Sequence, residues 1–333
     1  MTGWLLLSDR DHPVGDNLPP LLPQGTLVME LSWPLPIGVL LDWRAPDGRE
    51  ALSLFHHPAS GIALLWRDGE TLRRFLLSGP LRIEGRVARL LFRWGLTGGG
   101  WSMRLDDGLD STVASTGGMN APALRAAALA GLCGGRGVTR RESSVLWFGV
   151  MQGSQPPARV AWIGRSTPVL TVEGAVPAGL LRPGQWILTR DAGPVRLRAL
   201  HRMDMPSRGS HAAIILRAPW YAPDRDLLVS ADQLVMIGGL ETEYLFGEDE
   251  VLVSAGALVD GRSALADNRR ATTAAVSLDL GGLHLIESAG AYLLSGHHGP
   301  ATARPMMPLR ALQDYEALPL LSLLRRLKSS DAA

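Results

Sequence analysis

Few residues in this 333-residue chain have the type and spacing to do chemistry. Cys133 is the only cysteine and Lys328 the only lysine. A phosphate-cradling loop needs a lysine directly after its glycines, and the one lysine stands in the C-terminal tail. Neither a His-Glu-x-x-His zinc helix nor a Gly-x-Ser-x-Gly nucleophile elbow occurs. One cysteine allows neither an internal disulfide nor a multi-cysteine zinc site, so no metal and no cofactor is expected. His56-His57 and His297-His298 are adjacent pairs. Neighbours on a strand point to opposite faces, so such a pair is a poor two-ligand site and surface or turn histidines are expected. Asp106-Asp107-Gly108-Leu109-Asp110 has the oxygens of a cation loop without the further ligands of a calcium loop. A solvated turn after a strand is expected there. Of the ten tryptophans, seven lie before residue 150: Trp4, Trp33, Trp43, Trp66, Trp94, Trp101 and Trp147. An exposed indole can stack on a sugar ring. Most of these sit inside apolar runs such as Leu91-Phe92-Arg93-Trp94, where a core role is expected.

The elements that must position these residues read as β-structure. Thr26–Leu31, Gly38–Trp43, Ile62–Trp66, Thr71–Leu77, Val87–Trp94 and Trp101–Leu105 are candidate strands. They are separated by turn signals such as Ala45-Pro46-Asp47-Gly48, Asp68-Gly69 and Gly98-Gly99-Gly100. Short strands at regular spacing predict a sandwich or barrel. Asn120 is a possible cap, with Pro122 in the first turn and a helix over Ala123–Leu132. Gly134-Gly135-Arg136-Gly137 follows that helix and reads as its stop, not as a dinucleotide turn. Ser143–Val150 returns as a strand, and Gln152–Pro157 has the composition of a linker. The predicted division is a β-sandwich over 1–154, with its helix near 120–133, a second β-rich domain over 155–300 and a helical tail over 301–333. Strands are predicted at Thr167–Val172, Gln185–Thr189, Val195–Ala199, Ala212–Leu216, Asp226–Val229, Leu234–Ile237 and Glu250–Val253. In the tail, Leu309–Ala317 and Leu320–Lys328 have helical periodicity interrupted by Pro319.

A formal net charge of +1 leaves no electrostatic footprint for nucleic acid. No apolar run approaches a membrane span, and Trp4–Leu7 is too short for a secretory core. A soluble chain without an N-terminal signal peptide is therefore expected, cytoplasmic or exported without a cleaved signal.

The second domain carries words of a known family. Thr167-Pro168-Val169-Leu170-Thr171-Val172-Glu173-Gly174 resembles an opening Thr-x-Ile-x-Thr-x-x-Gly strand and turn. Leu181-Arg182-Pro183-Gly184-Gln185-Trp186-Ile187-Leu188-Thr189 resembles a Leu-x-x-Gly-Asp-x-Val-x-Thr block. Arg225 to Gln233, Tyr244 to Val253 and Leu258-Val259-Asp260-Gly261 follow in order. Together these resemble the hedgehog/intein (Hint) domains of certain alphaproteobacteria, over roughly residues 155–300. The resemblance implies an all-β fold. In active members a Cys or Ser at the domain start attacks the preceding carbonyl, a Thr-x-x-His block polarises that bond, and a later His or Asp resolves the ester. Counted from Thr167, the nucleophile position falls at Trp162. The Thr-x-x-His block becomes Ser230-Ala231-Asp232-Gln233, and the late histidine position falls at Leu283, one residue before His284. The first half resembles the laminin-G or concanavalin-like sandwich through Arg93-Trp94, the glycine turn and Trp101-Ser102-Met103-Arg104-Leu105.

Three functional readings follow. The first is a non-catalytic Hint scaffold fused to a sandwich that binds carbohydrate or a protein surface. The second is autoprocessing near 160–167, using Ser166 with help from Ser230 or His284. The third is a self-associating component, an oligomer built through the apolar helical face of Leu320–Leu327.

Overall fold

The structure is a computed structural model that describes residues 3–10, 13–14, 18–108, 111–153, 160–296 and 306–330, with side chains to Leu324. His297-His298, Leu109, Asp110 and most of the expected linker lie outside the described residues. The chain is mainly β and divides into two compact units, Met1–Ala158 and Arg159–Ala333.

In the first unit two antiparallel sheets share one core. The six-stranded sheet runs Trp4–Leu7, Val145–Met151, Gly25–Ser32, Val87–Leu96, Gly100–Asp107, Thr112–Gly118. The five-stranded sheet runs Val138–Arg141, Gly38–Arg44, Glu50–His57, Gly61–Asp68, Thr71–Ser78. Period-two burial aims Leu52, Leu54, Leu64, Trp66, Phe75 and Leu77 inward from the second sheet, against Leu27, Met29, Leu90, Phe92 and Trp94 from the first. Phe75 meets Phe92 at 4.5 Å between ring centroids and Trp101 at 4.8 Å. The core reading of the tryptophans holds: Trp4, Trp43, Trp66, Trp94 and Trp147 are buried. A buried indole N–H needs an acceptor to replace the water it has lost. Trp43 donates to the Arg136 carbonyl at 2.7 Å and Trp94 to that of Leu22 at 2.9 Å.

Three local expectations are corrected here. Glu50–His57 is a strand whose burial alternates, and it carries His56 inward, where its Nδ1 lies 3.0 Å from the Pro36 carbonyl. His57 alone is exposed, as adjacent residues on a strand must differ. Asp106 is no solvated turn. It lies inside Gly100–Asp107, fully buried, 2.8 Å from Arg104 and 3.7 Å from Arg89. The helix begins later than expected, at Ala126–Cys133, because Leu124–Arg125 pairs as a short strand with Leu21–Leu22. Its glycine stop stands as read. Gly135 takes φ +74°, Gly137 takes φ +81°, and a Cβ at 137 would lie 2.0 Å from the Arg44 carbonyl. Cys133 is buried at the helix end, and burial, with Asp9 nearby, pushes its thiol well above the ordinary range, so it is inert as a nucleophile.

In the second unit the strands are shorter. One sheet runs Ala199–Pro206, Thr272–Asp279, Ile163–Gly164, Leu227–Val229, Ala213–Leu216, Ala264–Asp267. The other runs Gly174–Pro177, Pro168–Thr171, Trp186–Thr189, Leu285–Ser288, Ala291–Leu294, Leu234–Gly238, Glu250–Ser254, with Gly193–Arg196 also paired to Trp186–Thr189. Val169, Ile187, Leu197, Val229, Val235, Val253, Val276 and Leu293 form the core. The C-terminal helix is one element, Asp314–Ser330, with Pro319 inside it. Pro319 removes one backbone bond near the start, and the helix continues because Ala317, Leu320 and Leu321 are seated in the core of this unit. Leu309, the expected start of a helix, lies in a bend, and Ala311 bridges Leu252. No helix among the described residues is long and apolar enough to cross a membrane.

Candidate functional site

Ile163–Gly164 is the shortest strand of its sheet and sits inside it, between Thr272–Asp279 and Leu227–Val229. This placement delivers the peptide just before it, Ala161–Trp162, into the interior. The Trp162 carbonyl accepts from the Ser230 N–H at 2.9 Å, and the Trp162 N–H donates to Ser230 Oγ at 3.2 Å. On the other side, Ser277 Oγ donates to the Ala161 carbonyl at 2.8 Å. Two hydroxyls thus hold the two polar atoms of one peptide unit, at the bond preceding the matched nucleophile position. A donor on the carbonyl oxygen is the arrangement that would stabilise developing negative charge during attack.

The Trp162 side chain is buried with Met205, Ala213 and Ala275 and cannot act as a nucleophile. Ser166 is exposed and lines a separate depression of about 360 Å³ with Arg165, Leu228, Arg270 and Thr273. Gln233 is buried and spends its side-chain amide on two carbonyls, those of Leu294 at 2.7 Å and Leu234 at 3.1 Å. Its backbone N–H closes the turn onto the Ser230 carbonyl at 3.1 Å. The Ser-x-x-Gln block therefore keeps the turn and uses its last residue as a brace between strands. Leu283 packs half-buried beside Leu285 and Leu294. The bonds of His284 run elsewhere: Nδ1 lies 2.8 Å from Asp191 Oδ2, and its N–H donates to Ser295 Oγ at 3.0 Å. Of the residues singled out in the sequence, the fold brings Trp162 and Ser230 together. Ser277 was missed; a lone hydroxyl in the apolar run Ala274-Ala275-Val276-Ser277-Leu278 is the one signal that could have marked it. No group of three His, Cys, Asp or Glu among the described residues is placed to hold a metal.

The remaining block residues build the frame. Thr171 Oγ1 donates to the Gly174 carbonyl at 2.8 Å and accepts from the Glu173 N–H at 3.1 Å. Thr189 does the same across its own hairpin, to the Gly193 carbonyl at 2.7 Å and from the Ala192 N–H at 3.2 Å. Each threonine is a buckle on a turn, with Gly174 at φ +114° and Gly193 at φ +66° supplying the left-handed step. Gly184 takes φ +100° in the adjoining loop. Thr167 is buried, and its carbonyl accepts from the Ala178 N–H at 2.8 Å. Thr171→Val and Thr189→Val keep the shape and remove the hydroxyl, and each is expected to cost about 1–2 kcal/mol in urea unfolding. No loss in either variant would contradict the buckle role.

Asp260 anchors the next loop. Its carboxylate accepts from the N–H groups of Arg262, Ser263 and Ala264 at 2.7–3.0 Å and from Ser263 Oγ at 2.7 Å. Burial raises its pKa, but the bonds from Ala264, Ser263 and Arg262 outweigh it and hold the carboxyl down at about 2. A depressed folded-state pKa means the stabilisation is fully present above the unfolded value near 4 and is lost as pH falls toward 2. The stability gap between the native chain and Asp260→Ala is accordingly expected to be full at pH 5 and to close as the pH falls through that window. A gap that stays constant from pH 5 to pH 2 would contradict it.

Residues 163–299 match the family model of the Hint domain. The second unit carries a Hint domain. Among solved structures, the chain is similar to the MchDnaB-1 intein at 16% identity, covering 41% of this chain and 99% of that one, with a TM-score of 0.27. It is similar to the CBM40 of the Ruminococcus gnavus IT-sialidase, solved bound to alpha2,3 sialyllactose, at 17% identity, 40% and 65% coverage and a TM-score of 0.24. It is also similar to domains LG4-5 of the mouse laminin alpha1 chain at 10% identity, 91% and 84% coverage and a TM-score of 0.23. No curated protein matches the chain.

Proposed function

We propose that the Hint domain of this chain, of the alphaproteobacterial type by its sequence words, is a scaffold whose autoprocessing positions have been replaced, fused to a β-sandwich that binds a ligand. The observation that carries this reading is Trp162: the side chain at the matched nucleophile position is spent on a hydrophobic cluster. Gln233, braced between carbonyls and unable to titrate near neutral pH, supports it. On the sandwich, register sets Val39, Phe55, Ala63 and Leu76 side by side on the outer face of the five-stranded sheet, all half-buried. Arg74 and Arg140 lie on the neighbouring row. That face suits a carbohydrate or a protein surface.

Self-cleavage near 160–167 keeps one observation in its favour, the peptide held by Ser230 and Ser277. Intact mass separates the two. The purified chain, incubated with and without hydroxylamine or thiol, is expected to keep its full mass. Fragments matching a cut within 160–167 would overturn the scaffold reading.

A further inference from the structure

All ten tryptophans fall within the described residues, and Trp186 is the most exposed of them at 49%. Six are buried, and Trp220, half-buried, carries the guanidinium groups of Arg217 and Arg262 over its ring at 5.9 and 5.7 Å. No ring or cation contact covers Trp186 among the described residues, which is an unusual use of so large an apolar surface.

Its setting is a cleft of about 340 Å³ lined by Thr171, Val172, Glu173, Arg182, Gln185 and Trp186, with Pro183 and Gly184 completing the wall. That is at the small end of ligand sites, which run roughly 300–1,000 Å³. Both walls are fixed by hydrogen bonds. The Thr171 buckle holds the 171–174 turn, and the Val172 N–H donates to the Trp186 carbonyl at 3.2 Å. The Arg182–Gln185 turn is closed by the Arg182 N–H onto Gln185 Oε1 at 2.7 Å and by the Gly184 N–H onto the Leu197 carbonyl at 2.8 Å. Gly184 takes φ +100° in this turn, a conformation that favours glycine, and Arg196 is the cross-strand neighbour of Trp186. The cleft is pre-formed.

We propose that this cleft binds a hexopyranose unit of a glycan, stacked on the indole of Trp186. The polar groups choose the ligand class. A quaternary ammonium would meet Arg182, and a bare anion would meet Glu173. A sugar ring offers an apolar C–H face for the indole and a rim of hydroxyls that donate to Glu173 and accept from Arg182. Large aromatic surface with a few convergent polar groups is the composition of such sites. A proline-rich peptide is the competing occupant.

This site is independent of the sandwich face in the proposed function, and a pair of variants tells them apart. A glycan array probed with the full chain is expected to give a saccharide whose binding, measured by saturation-transfer NMR, weakens at least ten-fold in Trp186→Ala and persists in Phe55→Ala. Half-exposed Trp186 can be removed without opening a cavity, and an unchanged melting curve checks that the variant is folded. No saccharide bound by the native chain, or binding that survives Trp186→Ala, would overturn the proposal. So would a proline-rich peptide that binds in place of any glycan and is lost in Trp186→Ala.

Discussion

Trp162→Ala is expected to lower the stability of the Hint domain by about 3–5 kcal/mol, the usual cost of deleting a large buried aromatic side chain, and to leave the chain uncut. Trp162 is 2% exposed and packs on Met205, Ala213 and Ala275, with Met203 and Leu228 at the edge. Alanine would remove most of that contact surface. Both of its backbone polar groups are tied to Ser230, so the backbone would hold its course while the cluster empties. Hydrogen exchange of the Ile163 and Gly164 amides, followed through urea unfolding, reads the loss where it occurs. A change under about 1 kcal/mol would mean that the indole is not a packing element, since surface substitutions stay near that range.

Asp106→Ala is expected to be comparably damaging in the sandwich, by about 3–5 kcal/mol, because it removes one carboxylate from a buried cluster of charge. Asp106 and Arg89 are directly paired across neighbouring strands, and Arg104, two residues before Asp106, shares its face. The carboxylate also accepts from the Thr112 hydroxyl at 3.2 Å. Without it Arg89, 8% exposed, and Arg104 lose the carboxylate oxygen they share. The unfolding midpoint of the sandwich measures this. Asp106→Asn, which keeps the shape and an acceptor, is expected to lose less than Asp106→Ala. A loss in Asp106→Asn no larger than that of a surface substitution would assign the effect to packing instead of charge.

What could be read in the residues depended on how far apart the partners lie. The buckles Thr171–Gly174 and Thr189–Gly193 span three and four residues, so a short word contains the whole device. The helix stop at Gly134–Gly137 is local in the same way. Ser277 meets Ala161 across 116 residues, and nothing in either neighbourhood announces the other. Asp106 misled for the same reason: its run of acids looks like a surface turn until strand register brings Arg89 beside it. The strand Glu50–His57 was legible in principle, through its alternation, but ending in two histidines it reads as polar turn. Pro319 was a correct local signal overruled by burial, since Leu320 and Leu321 are anchored in the core directly after it.

The proposed scaffold role is that of a Hint domain that holds the Ala161–Trp162 peptide without cutting it. Its most direct test is the intact mass of the full chain after prolonged incubation, alone and with hydroxylamine. A single species at full mass under both conditions is the predicted result. A hydroxylamine-dependent pair of fragments joining at a bond within 160–167 would contradict it.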